Sequence, residues 1–318
     1  MRKYVVRRLL LLIPTVFFVC VIVFCLLRYI PGSAIEALTY RMQSSGIYEV
    51  SEDYVRERLG MDKPAYIQFF IWLGNALRLD LGDSFFRSQS VSEIIGEHVF
   101  ASLELGILSM ILTNLIAIPL GVFCAKHQDS VADYAIRVIS LILMSLPVFW
   151  IATIVLIYPS LWFHWAPTTE YVPFFRDPIG NLKMFFLPAI LSAITTSGMQ
   201  LRYVRTVMLD TMRTDYVRTA RAKGVTERRI MYVHSFRNAM IPVITMIGGS
   251  IGGLIGGNII MENLFSIPGL GQETVLALAE RDYPIVQGCV LIMAIFTMVV
   301  NVIVDISYKW IDPRIKFD

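Results

Sequence analysis

The sequence predicts an all-α membrane protein of six transmembrane helices, with one further helix held outside the bilayer on the cytoplasmic side. The first observation is compositional: residues of the set AVILMFWYC make up 56% of the 318, charged residues 17%, and mean hydropathy is +0.62. Soluble domains carry about 25% charged residues, so a chain this apolar cannot cover its own surface with polar groups in water. The second is that charge-free apolar stretches of about the 20 residues needed to cross a hydrocarbon core recur along the chain. The third is that basic residues crowd the short connections on one side of those stretches. A net charge of +3 and a pI near 8.6 exclude the dense basic face of a nucleic-acid binder.

The stretches are Leu9–Leu27, Leu105–Ala125, Val138–Trp165 (crossing part 138–162), Met184–Leu201, Ala239–Met261 and Pro284–Val304. The first follows Arg2, Lys3, Arg7 and Arg8, as a secretory signal would. Its apolar run is longer than an h-region and no A-x-A site follows in Pro31–Ala37, so it reads as a retained span. Placing both termini in the cytoplasm puts these residues inside, with Lys126, Arg137, the run from Arg202 to Arg237, Lys309, Arg314 and Lys316. The segment 31–100 then lies outside. It opens on the breaker Pro31-Gly32, with turn signals at Asp62-Lys63-Pro64 and Asp80-Leu81-Gly82-Asp83. Between them, Tyr66–Leu79 predicts a short helix, either lying on the membrane with Trp72 at headgroup level or packed on the bundle. No internal repeat is visible, so 1–318 reads as a single membrane domain. The cysteines Cys20, Cys25, Cys124 and Cys289 fall in apolar runs and read as buried small hydrophobes.

Between the fourth and fifth spans, segment 202–238 is far longer than a hairpin needs. Its centre reads Asp215-Tyr216-Val217-Arg218-Thr219-Ala220-Arg221-Ala222-Lys223-Gly224. Asp215 suits an N-cap, the Ala and Arg residues favour helix, and Gly224 suits the C′ position. A short capped helix on two arms follows, with Glu227 and Arg228-Arg229 starting a second helix that leads into the fifth span. The bland reading is a basic loop that sets topology and touches anionic lipid. The sharper one is a docking helix for a cytoplasmic partner, since lipid binding needs no glycine-ended helix.

The fifth span carries Gly248, Gly249, Gly252, Gly253, Gly256 and Gly257 in two rows at spacing four, stripes that admit another helix backbone. Each glycine costs about 1 kcal/mol of helix propensity against Ala. A tight seam with a second subunit or the wall of a pathway would offset that cost; packing within this chain is the alternative. Asn301 and Asp305 lie one turn apart near the cytoplasmic end of the last span, where Asp305 is expected to pair with a basic loop residue. Pro119, Pro147, Pro159 and Pro188 suggest kinks or span ends. His98, His127, His164 and His234 sit in connections without HExxH, GxSxG or paired Cys/His. No catalytic, cofactor or metal residues are expected. There is no G-x4-G-K-[ST], so any ATP that drives this chain is expected to be hydrolysed on another.

The string 215–224 is similar to the coupling-loop signature of ABC-importer permeases, E-A-A-x3-G-x9-I-x-L-P. It resembles most closely the dipeptide/oligopeptide/nickel branch, whose B-type subunits read D-Y-V-R-T-A-R-A-K-G. The resemblance continues through His234-Ser235-Phe236-Arg237-Asn238-Ala239, Ile241-Pro242-Val243 and Phe265-Ser266-Ile267-Pro268-Gly269-Leu270-Gly271. It includes Arg281-Asp282-Tyr283-Pro284-Ile285-Val286-Gln287-Gly288 and the closing Asp312-Pro313-Arg314. Upstream, Arg7-Arg8-Leu9, Arg28-Tyr29-Ile30-Pro31-Gly32, Leu59-Gly60-Met61-Asp62-Lys63-Pro64 and Ser145-Leu146-Pro147-Val148-Phe149-Trp150 fit as well. Anchored on Gly224, Arg218 stands where the broad signature has Glu. His234, Phe236 and Arg237 take the Ile, Leu and Pro positions. A cation at 218 would prefer an acidic or helix-C-terminal feature in the partner groove.

The resemblance implies the type I ABC-importer permease fold and a chain forming half of a translocation pathway for di- or oligopeptides. Nickel, a metallophore or another small solute is the alternative cargo. A secondary transporter would need midplane ionisable residues or repeat symmetry. The implied partners are a second permease of similar topology, two cytoplasmic ATPase subunits carrying ATP and Mg, and an extracytoplasmic binding protein, in a bacterial or archaeal inner membrane. Asp215, Tyr216, Arg218, Thr219, Ala220, Arg221, Ala222, Lys223 and Gly224 would contact the ATPase.

Overall fold

The computed structural model describes residues 2–29, 34–44, 52–58, 60–168 and 170–311. In chain order the helices are α1 (Arg2–Tyr29), α2 (Ala34–Ser44), α3 (Glu52–Arg58), α4 (Ala65–Ala76) and α5 (Val91–Lys126). Then come α6 (Val131–Ser145), α7 (Val148–Phe163), α8 (Pro178–Met212), α9 (Asp215–Ala222) and α10 (Glu227–Arg229). A π-helical turn, Ile230–Ser235, leads into α11 (Phe236–Ile251), and α12 (Ile259–Leu264), α13 (Leu270–Glu280) and α14 (Tyr283–Ile311) follow. Among the described residues the strand content is one isolated bridge, Asp83 to Ser90. The Pro31-Gly32 breaker, Leu59, the closing Asp312-Pro313-Arg314 and Lys316 lie outside the described residues, as do the side chains of Arg2, Lys3 and Lys309.

The chain divides into two compact units, Met1–Ser102 with Pro268–Val299 and Leu103–Ile267 with Val300–Asp318. In the first, α4 packs on α1. Phe69 is buried against Phe17 and Phe24, with ring centroids 5.9 and 5.2 Å away. The Arg28 guanidinium lies 3.4 Å over the Phe24 ring and donates to Gln68 Oε1. Tyr66, Phe70 and Ile71 remain exposed. The helix expected over Tyr66–Leu79 therefore forms, stops at Ala76, and docks on the first span through one aromatic face. Ile35, Leu38 and Val55 join α2 to α3 in a small separate cluster.

A polar node sits at the start of α14 in the same unit. Asp282 is fully buried and accepts from Ser84 Oγ (2.5 Å) and the Phe85 N–H (3.2 Å). Glu273 on α13 is buried with Arg87 Nη1 2.8 Å from Oε1 and His98 Nε2 3.5 Å from Oε2. Burial pushes both carboxyls above the usual range; Arg87 and His98 pull against that rise at Glu273, as Ser84 does at Asp282. Gly288 meets α5 so closely that a Cβ there would lie 2.4 Å from Val91 Cγ1. These contacts account physically for much of the 281–288 motif.

In the second unit, α6 and α7 meet at 90°. The stretch expected as the third span, Val138–Trp165, is thus divided at Pro147, one of the prolines expected to mark a kink or span end. Leu146 is extended, at φ −87° and ψ 131°, the conformation that a following proline favours over α. Helices run on through Pro119, Pro159 and Pro188. The fourth span also differs: α8 starts on the Asp177 cap, whose Oδ1 accepts from the Ile179 and Gly180 N–H groups, and runs past Leu201 to Met212. Residues 202–212 are therefore helix, not connection.

The stretch expected as the fifth span is not continuous helix either. α11 ends at Ile251, residues 252–258 form successive turns, and helix resumes at Ile259. Among the described residues four helices are long and apolar enough to cross a membrane: α1 from Leu10, α5, α8 and α14 to Ser307. The bent α6–α7 pair is a fifth by length and composition, either a broken span or a re-entrant loop. Cys20, Cys124 and Cys289 are buried as expected, whereas Cys25 is exposed on α1.

Candidate functional site

The segment 215–224 folds as a short helix with a sharply defined end. Thr214, extended at ψ 155°, is the N-cap residue, so Asp215 stands at the first helical position, one later than expected, where its charge still favours the helix N-terminus. At the other end Gly224 has φ +77°. Its N–H bonds to Arg221 O (3.0 Å) and the Val225 N–H to Ala220 O (3.2 Å), the two bonds of a Schellman stop. Only a residue tolerant of left-handed backbone suits that site.

One side chain anchors this helix and the rest face outward. Val217 is fully buried, and Ala220 is half-buried. Asp215, Tyr216, Arg218, Thr219, Arg221, Ala222, Lys223 and Gly224 are all exposed. The predicted site residues are thus brought together on one short element.

Two polar clips hold the element at a set angle to the helix that follows. Arg221 forks onto Glu227, Nε to Oε1 at 2.5 Å and Nη2 to Oε2 at 3.1 Å. The pairing raises the Arg221 pKa and lowers that of Glu227. Asn238 Nδ2 donates to the Tyr216 hydroxyl oxygen (3.0 Å) and to His234 O (2.9 Å). The second clip crosses the π turn, whose extra residue per turn re-aims His234 and Asn238.

Beneath the element the arms are helical and packed. Val204 and Met208 of α8, Val122 and Ala125 of α5, Met231, and Ala239 and Val243 of α11 form one buried apolar cluster. Gly121 allows the α5–α8 approach: a Cβ there would lie 2.7 Å from Val204 Cβ. Beside this cluster the fully buried Asp133 of α6 receives Arg205 of α8 through Nε to Oδ1 (2.9 Å) and Nη2 to Oδ2 (2.7 Å). Arg137 Nε adds a 3.3 Å contact. Asp133 also accepts the Asp129 N–H (3.0 Å), while Ser130 Oγ accepts the Asp133 N–H (3.2 Å), closing the α6 N-terminus.

Sequence reasoning missed Asp133, Glu227 and Asn238 as parts of this site. Ser130-x-x-Asp133 marks a helix start in the sequence, but nothing local names Arg205, 72 residues away, as its partner. The glycines divide differently from the expected stripe. Gly248 and Gly249 lie in α11, whereas Gly252, Gly253, Gly256 and Gly257 lie in the turns that interrupt it. Asp305 on α14 is half-buried and is not without partners.

A family model described as "Binding-protein-dependent transport system inner membrane component" matches residues 117–317. The chain is 37% identical over 325 residues to the oligopeptide transport system permease protein AppB of Bacillus subtilis (strain 168), covering all of both chains. It is 36% identical over 318 residues, again all of both, to a Brucella abortus (strain 2308) protein provisionally named a peptide transport system permease. The di/tripeptide transport system permease protein DppB of Pseudomonas aeruginosa (strain UCBPP-PA14) is 33% identical over 336 residues and 99% of each chain.

Proposed function

Because this chain belongs to the family of binding-protein-dependent transport system inner membrane components, we propose that it is the B-type permease subunit of an ATP-driven importer of di- or oligopeptides. The names of its relatives support the cargo. On this reading the α6–α7 and α11–α12 pairs are crossings with breaks in them. Six crossings then put both termini in the cytoplasm, which the basic residues of 202–237 support. The whole chain, 1–318, acts as one permease domain.

The observation that carries the mechanism is the α9 element: an outward-facing helix with a single buried anchor, stopped at Gly224 and clipped to α10 and the π turn. Such an element moves as a rigid body. Seated in a groove on a separate ATPase subunit, it would transmit ATP-driven closure of the ATPase pair to α8 and α11, switching the bundle between inward- and outward-facing states. ATP and Mg stay on the ATPases, and the binding protein delivers substrate from outside. A second permease completes the pathway.

Gly224→Leu and Arg221→Glu test the transmission role. A Cβ at Gly224 meets nothing within 4 Å in this chain, so the strain is confined to positive φ, of order 1 kcal/mol, and the spans should insert normally. The expected result is loss of the ATPase subunits on co-purification, or a complex whose ATPase stimulation by loaded binding protein falls roughly tenfold. Wild-type assembly, stimulation and uptake in both variants would sink the transmission role.

A further inference from the structure

Within the second unit, a cavity of about 490 Å³ opens between the middle of α5, the middle of α8 and the interrupted part of the fifth span. Its size falls within the range of about 300–1,000 Å³ typical of small-molecule sites. None of its lining residues is Asp, Glu, Lys, Arg or His. The wall is mostly apolar, with neutral polar side chains set into it. Thr113 Oγ1 and Thr196 Oγ1 are 2.9 Å apart, and Gln200 Nε2 donates to Asn114 Oδ1 at 2.5 Å. These pairs bridge α5 and α8. Ser109, 7% exposed and on the same wall, has a buried Oγ with no partner among the described residues.

The backbone contributes as well. Gly253, Leu254 and Gly257 line the cavity from the stretch where the helix is unwound. Their N–H groups are bonded within the turns, to the Ser250, Ile251 and Gly253 carbonyls, so the stretch gives an occupant a smooth, close-packed backbone wall, of the kind tolerated where it lines a cavity. The glycines are needed for this path: a Cβ on Gly257 would lie 2.5 Å from Gly253 O, and one on Gly106 of α5 2.2 Å from Leu254 O. Met110, Met144, Met199 and Met246 complete the lining with flexible, polarisable side chains that repack around variable shapes.

We propose that this cavity holds the backbone of the translocating peptide, through neutral side-chain hydroxyls and amides set against the unwound glycine stretch. Peptide N–H and C=O groups match neutral donors and acceptors whatever the residues carried. An uncharged wall neither traps nor repels acidic or basic side chains, and the methionines accommodate their bulk. The assignment rests on the peptide-import reading above and gives it a location and a selectivity rule: the wall is indifferent to peptide charge.

The test uses the assembled transporter in proteoliposomes with its own binding protein, ATPases and partner permease. The probes are trialanine and its analogues with Glu or Lys at the middle position. Gln200→Glu places a carboxylate on the wall and should lower import of the middle-Glu peptide relative to the middle-Lys peptide roughly tenfold, as a like charge a few ångströms away does at reduced dielectric. Met199→Lys, on an exposed part of the wall, should shift the ratio the opposite way and serves if Gln200→Glu does not assemble. An unchanged ratio in the variants that assemble overturns the assignment of this cavity while leaving peptide import standing. Import of none of the three peptides by the wild-type complex overturns the peptide reading and this proposal together.

Discussion

In the unit containing Asp133, the buried carboxylate meets the Arg205 fork through two hydrogen bonds of 2.9 and 2.7 Å. In the other unit, Glu273 receives Arg87 through one nitrogen, and Asp282 is met by a hydroxyl and a backbone N–H. The first arrangement matches a full negative charge with a full positive one in a geometry that satisfies both oxygens. The second leaves burial partly uncompensated, which is why the Glu273 and Asp282 pKa values are raised. A carboxylate held by a bidentate guanidinium, with Arg137 as a second cation beside it, is a clamp that does not depend on taking up a proton. It joins α6 to α8, the helix that leads into the α9 segment. The other node can take up protons.

Breaking the clamp should have the largest effect. Asp133→Ala strands the Arg205 guanidinium, whose side chain is 14% exposed, and removing one member of a buried pair costs about 3–5 kcal/mol. The assembled complex in detergent should melt well below wild type or be recovered poorly. Melting unchanged from wild type would mean that the α6–α8 junction does not depend on the pair.

The Glu273 and Asp282 node should respond less, and to pH. Both groups bind a proton more tightly folded than unfolded, so their contribution to stability is fully present below the unfolded carboxylate value of about 4. It is lost as pH rises through the raised folded values. Thermal stability of the complex should therefore decline as pH rises from about 4. Asp282→Asn, which keeps an oxygen to accept from Ser84 Oγ, should flatten that decline. A variant with the wild-type slope would show that the carboxyl carries none of it.

The exposed fork between Arg221 and Glu227 should matter least to stability, because both side chains are solvated and screened. Glu227→Gln is expected to leave the melting temperature unchanged while loosening the angle of α9, read as weaker ATPase stimulation. A fall in melting as large as that of Asp133→Ala would erase the contrast between the buried and exposed pairs.

Much of the candidate site was legible because its determinants are local. The Ala and Arg content of 215–223 favours helix, and Gly224 takes the one backbone conformation that a Schellman stop demands. The clips at Asn238 and Glu227 were not legible, since their partners are set by how α9 folds back on the π turn. The glycine rows were visible as rows. A fixed helical period was nonetheless the wrong ruler, because glycines this dense lower helix propensity enough for tertiary contacts to unwind the span at Gly252.

Four prolines marked possible breaks, yet the chain breaks helix only at Pro147; α5, α7 and α8 absorb the others. Hydropathy, helix capping and the φ of Gly224 are properties of a residue and its near neighbours. The sequence alone therefore determined the membrane class, the apolar stretches and the exposed helix at 215–222. The 90° turn after Ser145, the extension of α8 to Met212, the Asp133–Arg205 clamp and the neutral cavity depend on residues far apart in the chain meeting in space. Only the tertiary structure decided those, because the free energy of burying a charge or unwinding a helix is set by the partners that packing supplies.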